Sequence, residues 1–283
     1  MTFNACIKES ISKLAPVYDP SESRWLMRII LEKLNGWTQT DIILNGDKEM
    51  LPELKDRIEA IISRLLRNEP IQYILGETYW HGLTLRVSPA VLIPREETSE
   101  LVDIITGENQ KDDLAVLDMC TGSGCIAIAL ARNLSFPEVT GIDISDEALA
   151  VARDNAALCK VKINFLKSDV LKPLNLTDNS YDIIVSNPPY IADSEKKSMD
   201  ANVLDYEPHS ALFVPDDDPL KFYRAISFSA LRLTRPDGRL YLEINPLYAR
   251  QLSDMLSADG WRDVTVIKDM HGKDRFISAH AVS

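Results

Sequence analysis

The stretch LDMCTGSGCIAIALA (Leu117–Ala131) indicates the fold, because an apolar segment runs into a glycine-containing turn and then into a second apolar segment. Gly122 and Gly124 permit a tight turn and let a ligand approach the backbone closely. The helix that follows begins with unpaired backbone N–H groups, which attract polar or anionic groups of a ligand. Gly122, Gly124 and Ala127 also match the dinucleotide-binding pattern GxGxxG/A, so this stretch alone leaves the ligand open.

Strands and helices alternate on both sides of this turn. Each predicted strand is a short run rich in Val, Ile and Leu, and each predicted helix is longer and amphipathic. The predicted strands are Ala115–Asp118, Val139–Asp143, Ile163–Lys167, Asp182–Ser186, Arg239–Ile244, Asp263–Ile267 and Asp274–Ala279. The predicted helices are Glu97–Ile105, Cys125–Asn133, Glu147–Cys159, Leu220–Leu233 and Pro246–Ala258. The pattern predicts an α/β fold with an open, mainly parallel, doubly wound Rossmann-like sheet that ends in an antiparallel hairpin.

The first 75 residues have helical periodicity instead. In SESRWLMRIILEKLNG (Ser21–Gly36) apolar side chains recur every three or four residues, Ser21 or Ser23 can cap the start, and Gly36 can end the helix. LPELKDRIEAIISRLLRNEP (Leu51–Pro70) repeats the pattern. Alternating apolar residues and turn residues then predict a β-hairpin. We therefore expect a helical-bundle domain at 1–75, a hairpin linker at 76–94 and a nucleotide-binding domain at 95–283.

Composition excludes several classes of protein. The chain has 283 residues, 45% hydrophobic and 26% charged, which is typical of a soluble globular protein. A net charge of −12 argues against non-specific nucleic-acid binding. The apolar runs are too short to span a membrane, and the N-terminus MTFNACIKES lacks the apolar core of a secretory signal. The four cysteines form no CxxC pair or zinc motif, so we expect free thiols, no bound metal and a cytoplasmic location.

Polar residues follow each predicted strand, where ligands bind in an open α/β sheet. Asp143 ends the second strand and can accept both hydroxyls of a ribose; the alternative role, a helix cap, suits Ser145 or Asp146 better. Asp169 can accept an adenine amino group, with Val170 against the ring, unless it is a simple turn aspartate. The loop after the first strand supplies five more candidate ligand-binding residues: Cys120, Thr121, Gly122, Ser123 and Gly124. These three loops fit an adenosine-containing cofactor, either NAD or S-adenosylmethionine.

The fourth strand leads into DIIVSNPPYI (Asp182–Ile191), which favours one of these cofactors. Pro188 and Pro189 each hold φ near ~−65° and lack an N–H, and Pro188 also restricts Asn187. The side-chain oxygen of Asn187 and the carbonyl of Pro188 can accept from one –NH2 group, with the ring of an exposed Tyr190 beside it. Such acceptors orient a planar amide nitrogen and stabilise the positive charge that develops as it is methylated. A packed proline turn is the alternative interpretation.

The segments NPPY (Asn187–Tyr190), LDMCTGSGCIAIALA and GIDISDEALAVARDNA (Gly141–Ala156) resemble class I S-adenosylmethionine-dependent methyltransferases that act on nitrogen. Three more segments narrow the resemblance: NEPIQYILGETYWHGLTLRVSPAVLIPREETSELV (Asn68–Val102), YEPHSALF (Tyr206–Phe213) and HGKDRF (His271–Phe276). Together they resemble the release factor glutamine methyltransferase family over nearly the whole chain.

The resemblance implies methyl transfer from S-adenosylmethionine, leaving S-adenosylhomocysteine, to the glutamine side-chain amide in the Gly-Gly-Gln motif of class 1 peptide chain release factors. It implies that the Cys120–Gly124 loop, Asp143 and Asn187 contact the cofactor, and that Asn187 to Tyr190 hold the glutamine. We expect Asn187, Pro188 and Tyr190 to be the catalytic residues and the 1–75 domain to dock the release factor. We also expect no direct nucleic-acid contact and a monomeric enzyme.

Three positions depart from the family pattern: Glu96 replaces a usual proline, and Cys120 and Asn245 replace usual glycines. An adenine-N6 nucleic-acid methyltransferase remains the main alternative, because an exocyclic amine poses the same geometric problem to an Asn-Pro-Pro-aromatic loop. The negative charge and the missing basic target domain speak against it. A nicotinamide oxidoreductase would leave NPPY unexplained, and a non-enzymatic binding module would require a damaged cofactor loop, which the sequence does not show.

Overall fold

A computed structural model of the protein describes residues 1–282, which form two compact units. The first unit comprises Met1–Gly76 and Asp200–Tyr206. The second comprises Glu77–Met199 and residues 207–282. Among residues 1–282, no helix has both the length and the apolar character needed to cross a lipid bilayer.

The first unit is helical and has its own apolar core. Its helices are α1 (Phe3–Leu14), α2 (Pro20–Asn35), α3 (Gln39–Asn45), α4 (Pro52–Leu65), α5 (Ile71–Leu75) and, from the later segment, α9 (Ala201–Leu204). Leu14, Ile30 and Ile58 are fully buried, so the amphipathic stripes of α1, α2 and α4 face one another as their periodicity predicts. Within this unit the hydroxyl of Tyr206 donates to the carbonyl of Arg67 at 2.7 Å, which attaches residues 200–206.

The start of α2 differs from the prediction. The helix begins at Pro20, and the carboxylate of Asp19 accepts hydrogen bonds from the N–H groups of Ser21 (2.7 Å) and Glu22 (2.9 Å). The prediction of a cap at Ser21 or Ser23 is therefore wrong, because Asp19 with a following proline is the stronger start signal. Gly36 ends α2 in the left-handed conformation, with a φ of 67°, as predicted.

The second unit contains the remaining elements. Its strands are β1 (Glu77–Trp80), β2 (Leu83–Arg86), β3 (Ala115–Met119), β4 (Glu138–Asp143), β5 (Asn164–Lys167), β6 (Tyr181–Ser186), β7 (Ile191–Ala192), β8 (Phe213–Val214), β9 (Thr234–Glu243), β10 (Arg262–Lys268) and β11 (Asp274–His280). Its helices are α6 (Glu96–Glu108), α7 (Cys125–Asn133), α8 (Asp146–Leu158), α10 (Lys221–Leu233) and α11 (Ala249–Asp259), with 3-10 turns at Asp193–Ser198, His209–Ala211 and Pro246–Tyr248.

Seven strands form the central sheet, in the order β10-β11-β9-β6-β3-β4-β5. The neighbours from β9 to β5 are parallel, whereas β11 runs antiparallel to both β9 and β10. This confirms the predicted mainly parallel sheet with a closing antiparallel hairpin. β1 and β2 form the predicted antiparallel hairpin. The short parallel pair of β7 and β8 was not predicted, because strands of two residues carry no periodicity.

Helices cover both faces of the central sheet. Val116 and Val185 pack on one face with residues of α6 and α7, whereas Leu117 and Ile184 pack on the other with residues of α10 and α11. Alternate residues of one strand thus enter different cores, which explains why the central strands are apolar throughout. Because β3, β4, β5 and β6 are parallel neighbours, their carboxyl ends lie at one edge of the sheet, and the loops that follow them meet there.

Candidate active site

A cavity of about 430 Å³ lies at this edge of the sheet, a volume suited to a small-molecule ligand. Its walls come from the loops after β3, β4, β5 and β6 and from the segments Ala90–Arg95 and Pro208–Ala211. The structure brings nine of the predicted site residues to the cavity: Cys120, Thr121, Gly122, Ser123, Asp143, Asp169, Val170, Asn187 and Pro189. It does not place Gly124, Pro188 or Tyr190 among the lining residues.

The two glycines of the first loop have different environments. Gly122 has a φ of 55°, and a Cβ added to it would meet no described atom within 4 Å, so its backbone faces open cavity space. Gly124 has a φ of 80°, and its Cβ would lie 3.1 Å from that of Ala152 and 3.3 Å from Cδ1 of Ile128. Gly122 therefore leaves room for a ligand, and Gly124 allows α7 to pack closely on α8.

The backbone conformation at Cys120 explains why glycine is usual at this position in the family. Its φ is 61°, in the left-handed region that non-glycine residues rarely adopt. The Cys120 side chain packs against the core beneath the loop. Burial raises the pKa of this thiol well above its ordinary value, so Cys120 remains neutral and is a packing residue rather than a nucleophile.

Asp143 connects the first two loops. Its Oδ2 accepts from the N–H of Gly122 at 2.9 Å, and its Oδ1 accepts from the N–H of Ser145 at 3.0 Å. Burial raises its pKa, and these backbone hydrogen bonds lower it. Ser145 supplies the cap of α8, because its Oγ accepts from the N–H of Ala148 at 3.1 Å. The carboxylate of Asp143 is thus left at the cavity wall with further acceptor capacity.

Asp169 lines the cavity but also stabilises its own turn. Its Oδ1 accepts from the N–H of Leu171 at 3.0 Å, and its Oδ2 lies 3.3 Å from the ammonium of Lys172. Val170 is buried and belongs to the core under the site. Asp169 is therefore a turn residue that also lines the cavity, and its contact with an adenine amino group stays a prediction.

The NPPY loop is held from behind by buried polar groups. The amide nitrogen of Asn187 donates to Oγ1 of Thr98 at 3.4 Å, and Thr98 donates to Oε2 of Glu243 at 2.7 Å. The hydroxyl of Tyr190 donates to Oε1 of Glu243 at 3.1 Å. The expectation of an exposed Tyr190 is wrong, because the side chain is half-buried and this hydrogen bond turns its hydroxyl inward. Burial raises the Tyr190 pKa well above its ordinary range, so the hydroxyl keeps its proton.

Asn245 supports the same loop from the end of β9. Its amide nitrogen donates to the carbonyl of Tyr190 at 3.1 Å and to Oε1 of Glu195 at 2.8 Å, and its oxygen accepts from the N–H of Leu247 at 3.0 Å. A glycine could not make these bonds, so this departure from the family pattern adds a support to the loop. Glu96 is also well placed, since it begins α6, a position that suits both a proline and an acidic residue.

An ion pair joins two walls of the cavity. Oε1 of Glu207 lies 2.6 Å from a guanidinium nitrogen of Arg95, and its Oε2 accepts from the N–H of Ile93 at 3.2 Å. Only 1% of the Glu207 side chain is exposed. The pair fixes segment Ala90–Arg95 against segment Pro208–Ala211, and breaking it would leave a buried charge without its partner.

Sequence reasoning missed Thr98, Glu243, Arg95 and Glu207. Glu243 carried a usable signal, because it lies next to the last residue of the predicted strand Arg239–Ile244, at the edge where ligands bind. Thr98, Arg95 and Glu207 lie in segments that carry the family resemblance, but no local pattern singles them out, because their importance comes from contacts between segments far apart in the chain. No cluster of three or more His, Cys, Asp or Glu side chains within residues 1–282 is arranged to hold a metal ion.

Asp118, beneath the glycine loop, is a fully buried carboxyl group. Its Oδ2 accepts from Oγ1 of Thr121 at 2.6 Å and from the N–H of Ala127 at 3.3 Å, whereas its Oδ1 has no hydrogen-bond partner among the described residues. Burial raises its pKa to about 7, with a smaller contribution from the charge of Asp143 and opposing hydrogen bonds. The folded protein therefore keeps a proton that the unfolded chain releases near pH ~4.

We expect Asp118→Asn to remove a pH dependence of stability. A raised carboxyl pKa stabilises the fold below about pH 4, and this contribution is lost as the pH rises toward 7. Relative to the variant, the wild type should thus lose roughly 1–3 kcal/mol of unfolding free energy between pH 5 and pH 8. Urea unfolding of both proteins at the two pH values measures this. A constant difference between them would show that Asp118 does not titrate in this range.

Comparison with known proteins places the chain in a family. A family model described as "PrmC N-terminal domain" matches residues 6–76, and one described as "Methyltransferase domain" matches residues 110–260. A protein from Bacteroides thetaiotaomicron named release factor glutamine methyltransferase is 47% identical over 94% of this chain and 96% of its own length. Proteins of the same name from Flavobacterium psychrophilum and Lactococcus lactis are 42% and 40% identical, over 95% and 93% of this chain and 96% and 95% of their own lengths.

Solved structures agree on the fold. The crystal structure of a methyltransferase from Pyrococcus furiosus superposes with a TM-score of 0.53 at 18% identity, and the match covers 78% of this chain and 98% of that one. At this level of identity the match supports the architecture of the sheet and its helices.

Proposed function

The chain belongs to the release factor glutamine methyltransferase family, and we propose that it transfers a methyl group from S-adenosylmethionine to the glutamine side-chain amide in the Gly-Gly-Gln motif of class 1 peptide chain release factors. The observation that carries this proposal is the position of Asn187 at the cavity wall, with its amide nitrogen engaged by Thr98. The amide oxygen is then the end of the side chain that is available to a substrate –NH2 group.

The residues around the cavity fit the cofactor. The open space at Gly122 lets a ligand reach the backbone, and the carboxylate of Asp143 has acceptor capacity for ribose hydroxyls. We assign the Cys120–Gly124 loop and Asp143 to cofactor binding, together with Asp169, Val170 and Asn187. When bound, S-adenosylmethionine supplies an electrophilic methyl group.

The NPPY loop supplies orientation and charge stabilisation. An amide nitrogen is a weak nucleophile, and two fixed acceptors both orient it and stabilise the positive charge that develops on it. We assign these acceptor roles to the side-chain oxygen of Asn187 and the carbonyl of Pro188, with Pro189 and Tyr190 shaping the loop. The buried supports behind it keep these dipoles in place before the substrate arrives. Methyl transfer to the nitrogen first gives an N-methylated amide cation, which is a strong acid and loses its proton to water, so no general base is assigned.

A labelling experiment tests the function. The protein is incubated with methyl-labelled S-adenosylmethionine and, separately, with a class 1 release factor, with duplex DNA or with no acceptor. We expect label only in the release factor. Label in the DNA would instead support an adenine-N6 methyltransferase, and label in neither acceptor would contradict both. We also propose that the enzyme is a monomer and that it acts in the cytoplasm.

We further propose that the helical unit docks the release factor, because binding energy collected far from the reacting atoms can position the glutamine. Ile43 and Leu44 of α3 are each 73% exposed, and Leu51 nearby in sequence is 67% exposed. No residue of α3 is buried, so changes on its surface should leave the core of the unit intact. Removal of residues 1–76 would be a poorer test, because residues 200–206 pack within the same unit.

Replacing both Ile43 and Leu44 by serine should lower the methylation of an intact release factor roughly tenfold, the effect of losing a modest interface contact. A short Gly-Gly-Gln peptide should be methylated at the wild-type rate, since it reaches only the cavity. The rates on both acceptors are compared under identical conditions. Phe228→Ser, which removes an equally exposed apolar side chain from α10, serves as the control. Equal losses on both acceptors, or no loss on either, would contradict the docking role.

A further inference from the structure

Behind Asn187, the buried side chains of Thr98 and Glu243 and the half-buried Tyr190 form a chain of hydrogen bonds with a fixed direction. Thr98 is 2% exposed and Glu243 is 1% exposed, so neither bonds freely with solvent. Both oxygens of Glu243 act as acceptors: Oε2 from Thr98 at 2.7 Å and Oε1 from Tyr190 at 3.1 Å. Burial raises the pKa of Glu243, whereas the hydrogen bonds from Thr98 and Tyr190 and the charge of Arg275 lower it. In its ionised form the carboxylate has no proton to donate, so both neighbouring hydroxyls point toward it.

This arrangement determines what Thr98 can offer to Asn187. A threonine hydroxyl has one proton and two lone pairs, and the proton is used on Glu243. Toward Asn187, Thr98 is then only an acceptor, and the Asn187 amide must present its nitrogen, at 3.4 Å. If the Asn187 amide rotated by half a turn, its oxygen would face Oγ1 of Thr98. Two acceptors would then be buried without a proton between them, and the –NH2 group of Asn187 would face the cavity.

We propose that Thr98 is a positioning residue, which relays the acceptor character of the buried Glu243 carboxylate and so keeps the Asn187 amide oxygen directed at the cavity. This role rests on the proposed function, because only a substrate with an –NH2 group requires an acceptor there. A rotated Asn187 would direct its own N–H groups at the substrate –NH2 group, and two donors cannot form a hydrogen bond. Thr98 also reaches the cavity wall, but the role proposed for it is exerted through Asn187.

Thr98→Val tests the relay, because valine keeps the shape of threonine and lacks the hydroxyl. We expect single-turnover methylation of a Gly-Gly-Gln peptide to fall about 100-fold, as when one preorganised dipole is lost. Affinity for S-adenosylhomocysteine should stay close to wild type, whereas the thermal unfolding midpoint should fall, because Oε2 of the buried Glu243 loses its hydrogen-bond partner. Thr98→Ser should restore the rate. Thr106→Val is the matched control on the same helix, since the Thr106 hydroxyl donates only to the carbonyl of Val102, at 2.8 Å.

A double-mutant cycle tests the part played by Glu243. If Thr98 and Glu243 act as one unit, Thr98→Val combined with Glu243→Gln should be no slower than Thr98→Val alone. Because Glu243 also accepts from Tyr190, the cycle is measured in a Tyr190→Phe background, which removes that second hydrogen bond. Losses that multiply there would show that Thr98 and Glu243 act independently, and would overturn the relay.

Nuclear magnetic resonance supplies a readout that needs no acceptor substrate. The side-chain amide protons of Asn187, assigned by their absence from Asn187→Asp, should exchange slowly with solvent in the wild type and in Thr98→Ser. They should exchange at least about tenfold faster in Thr98→Val, where the hydrogen bond is gone. Unchanged exchange in Thr98→Val would overturn the inference even in an active enzyme. If the exchange pattern holds but the wild type methylates no release factor or peptide, the proposed function fails and the orientation of Asn187 stands.

Discussion

Replacing Asn187 by alanine is expected to slow methyl transfer by about 100- to 1000-fold, the usual effect of removing one preorganised dipole that acts in the transition state. Asn187 lies at the cavity wall and is held from behind by Thr98. Its contribution should be larger in the transition state, where the amide nitrogen becomes positive, than in the ground state. Single-turnover rates at saturating cofactor and peptide measure the loss.

Cofactor affinity should change far less than the rate in this variant, because the substitution leaves the other proposed cofactor contacts, Asp143 and the Cys120–Gly124 loop, in place. Asn164→Ala, a change at an exposed position of β5, controls for the removal of an amide in general and should leave the rate unaltered. A rate for Asn187→Ala equal to the wild-type rate would mean that NPPY is only a turn.

Replacing Asp143 by alanine should weaken S-adenosylmethionine binding by roughly 1.5–3 kcal/mol, the usual value for a hydrogen bond to a charged group. This corresponds to a dissociation constant about 10- to 150-fold higher. The variant also loses the acceptor for the N–H groups of Gly122 and Ser145, so the glycine loop itself becomes less ordered. Calorimetric titration with S-adenosylmethionine measures the change.

The matched control for Asp143 is Asp154→Ala, which removes an exposed carboxylate that pairs with Arg86 at 3.1 Å outside the cavity. It should bind the cofactor like the wild type. An unaltered affinity in Asp143→Ala, with a folded protein, would remove Asp143 from the cofactor site.

Local sequence patterns were sufficient to predict the central sheet. Apolar strands, glycine turns and strand ends carry their signal within a few residues, so the sequence alone predicts that the loops holding Gly122, Asp143 and Asn187 meet at one edge of the sheet. The parallel sheet, its final antiparallel hairpin and the end of α2 at Gly36 follow from such patterns.

What the sequence could not show depends on contacts between distant segments. Thr98, Asn187 and Glu243 meet only after α6, β6 and β9 are packed, so no motif contains all three. The burial of the Tyr190 hydroxyl has the same origin, since it follows from the position of Glu243 at the end of β9. The left-handed backbone of Cys120 likewise arises from the loop geometry. Buried polar networks of this kind are where predictions from local sequence fail.

The most direct test of the proposed function is to locate the transferred methyl group in the substrate. A release factor is incubated with the protein and methyl-labelled S-adenosylmethionine, digested, and sequenced by tandem mass spectrometry, with Asn187→Ala as the inactive reference. We expect one labelled methyl group on the side-chain amide of the glutamine in the Gly-Gly-Gln motif, and little in the reference sample. A label on any other residue, or the same label with Asn187→Ala, would contradict the account of how this site works.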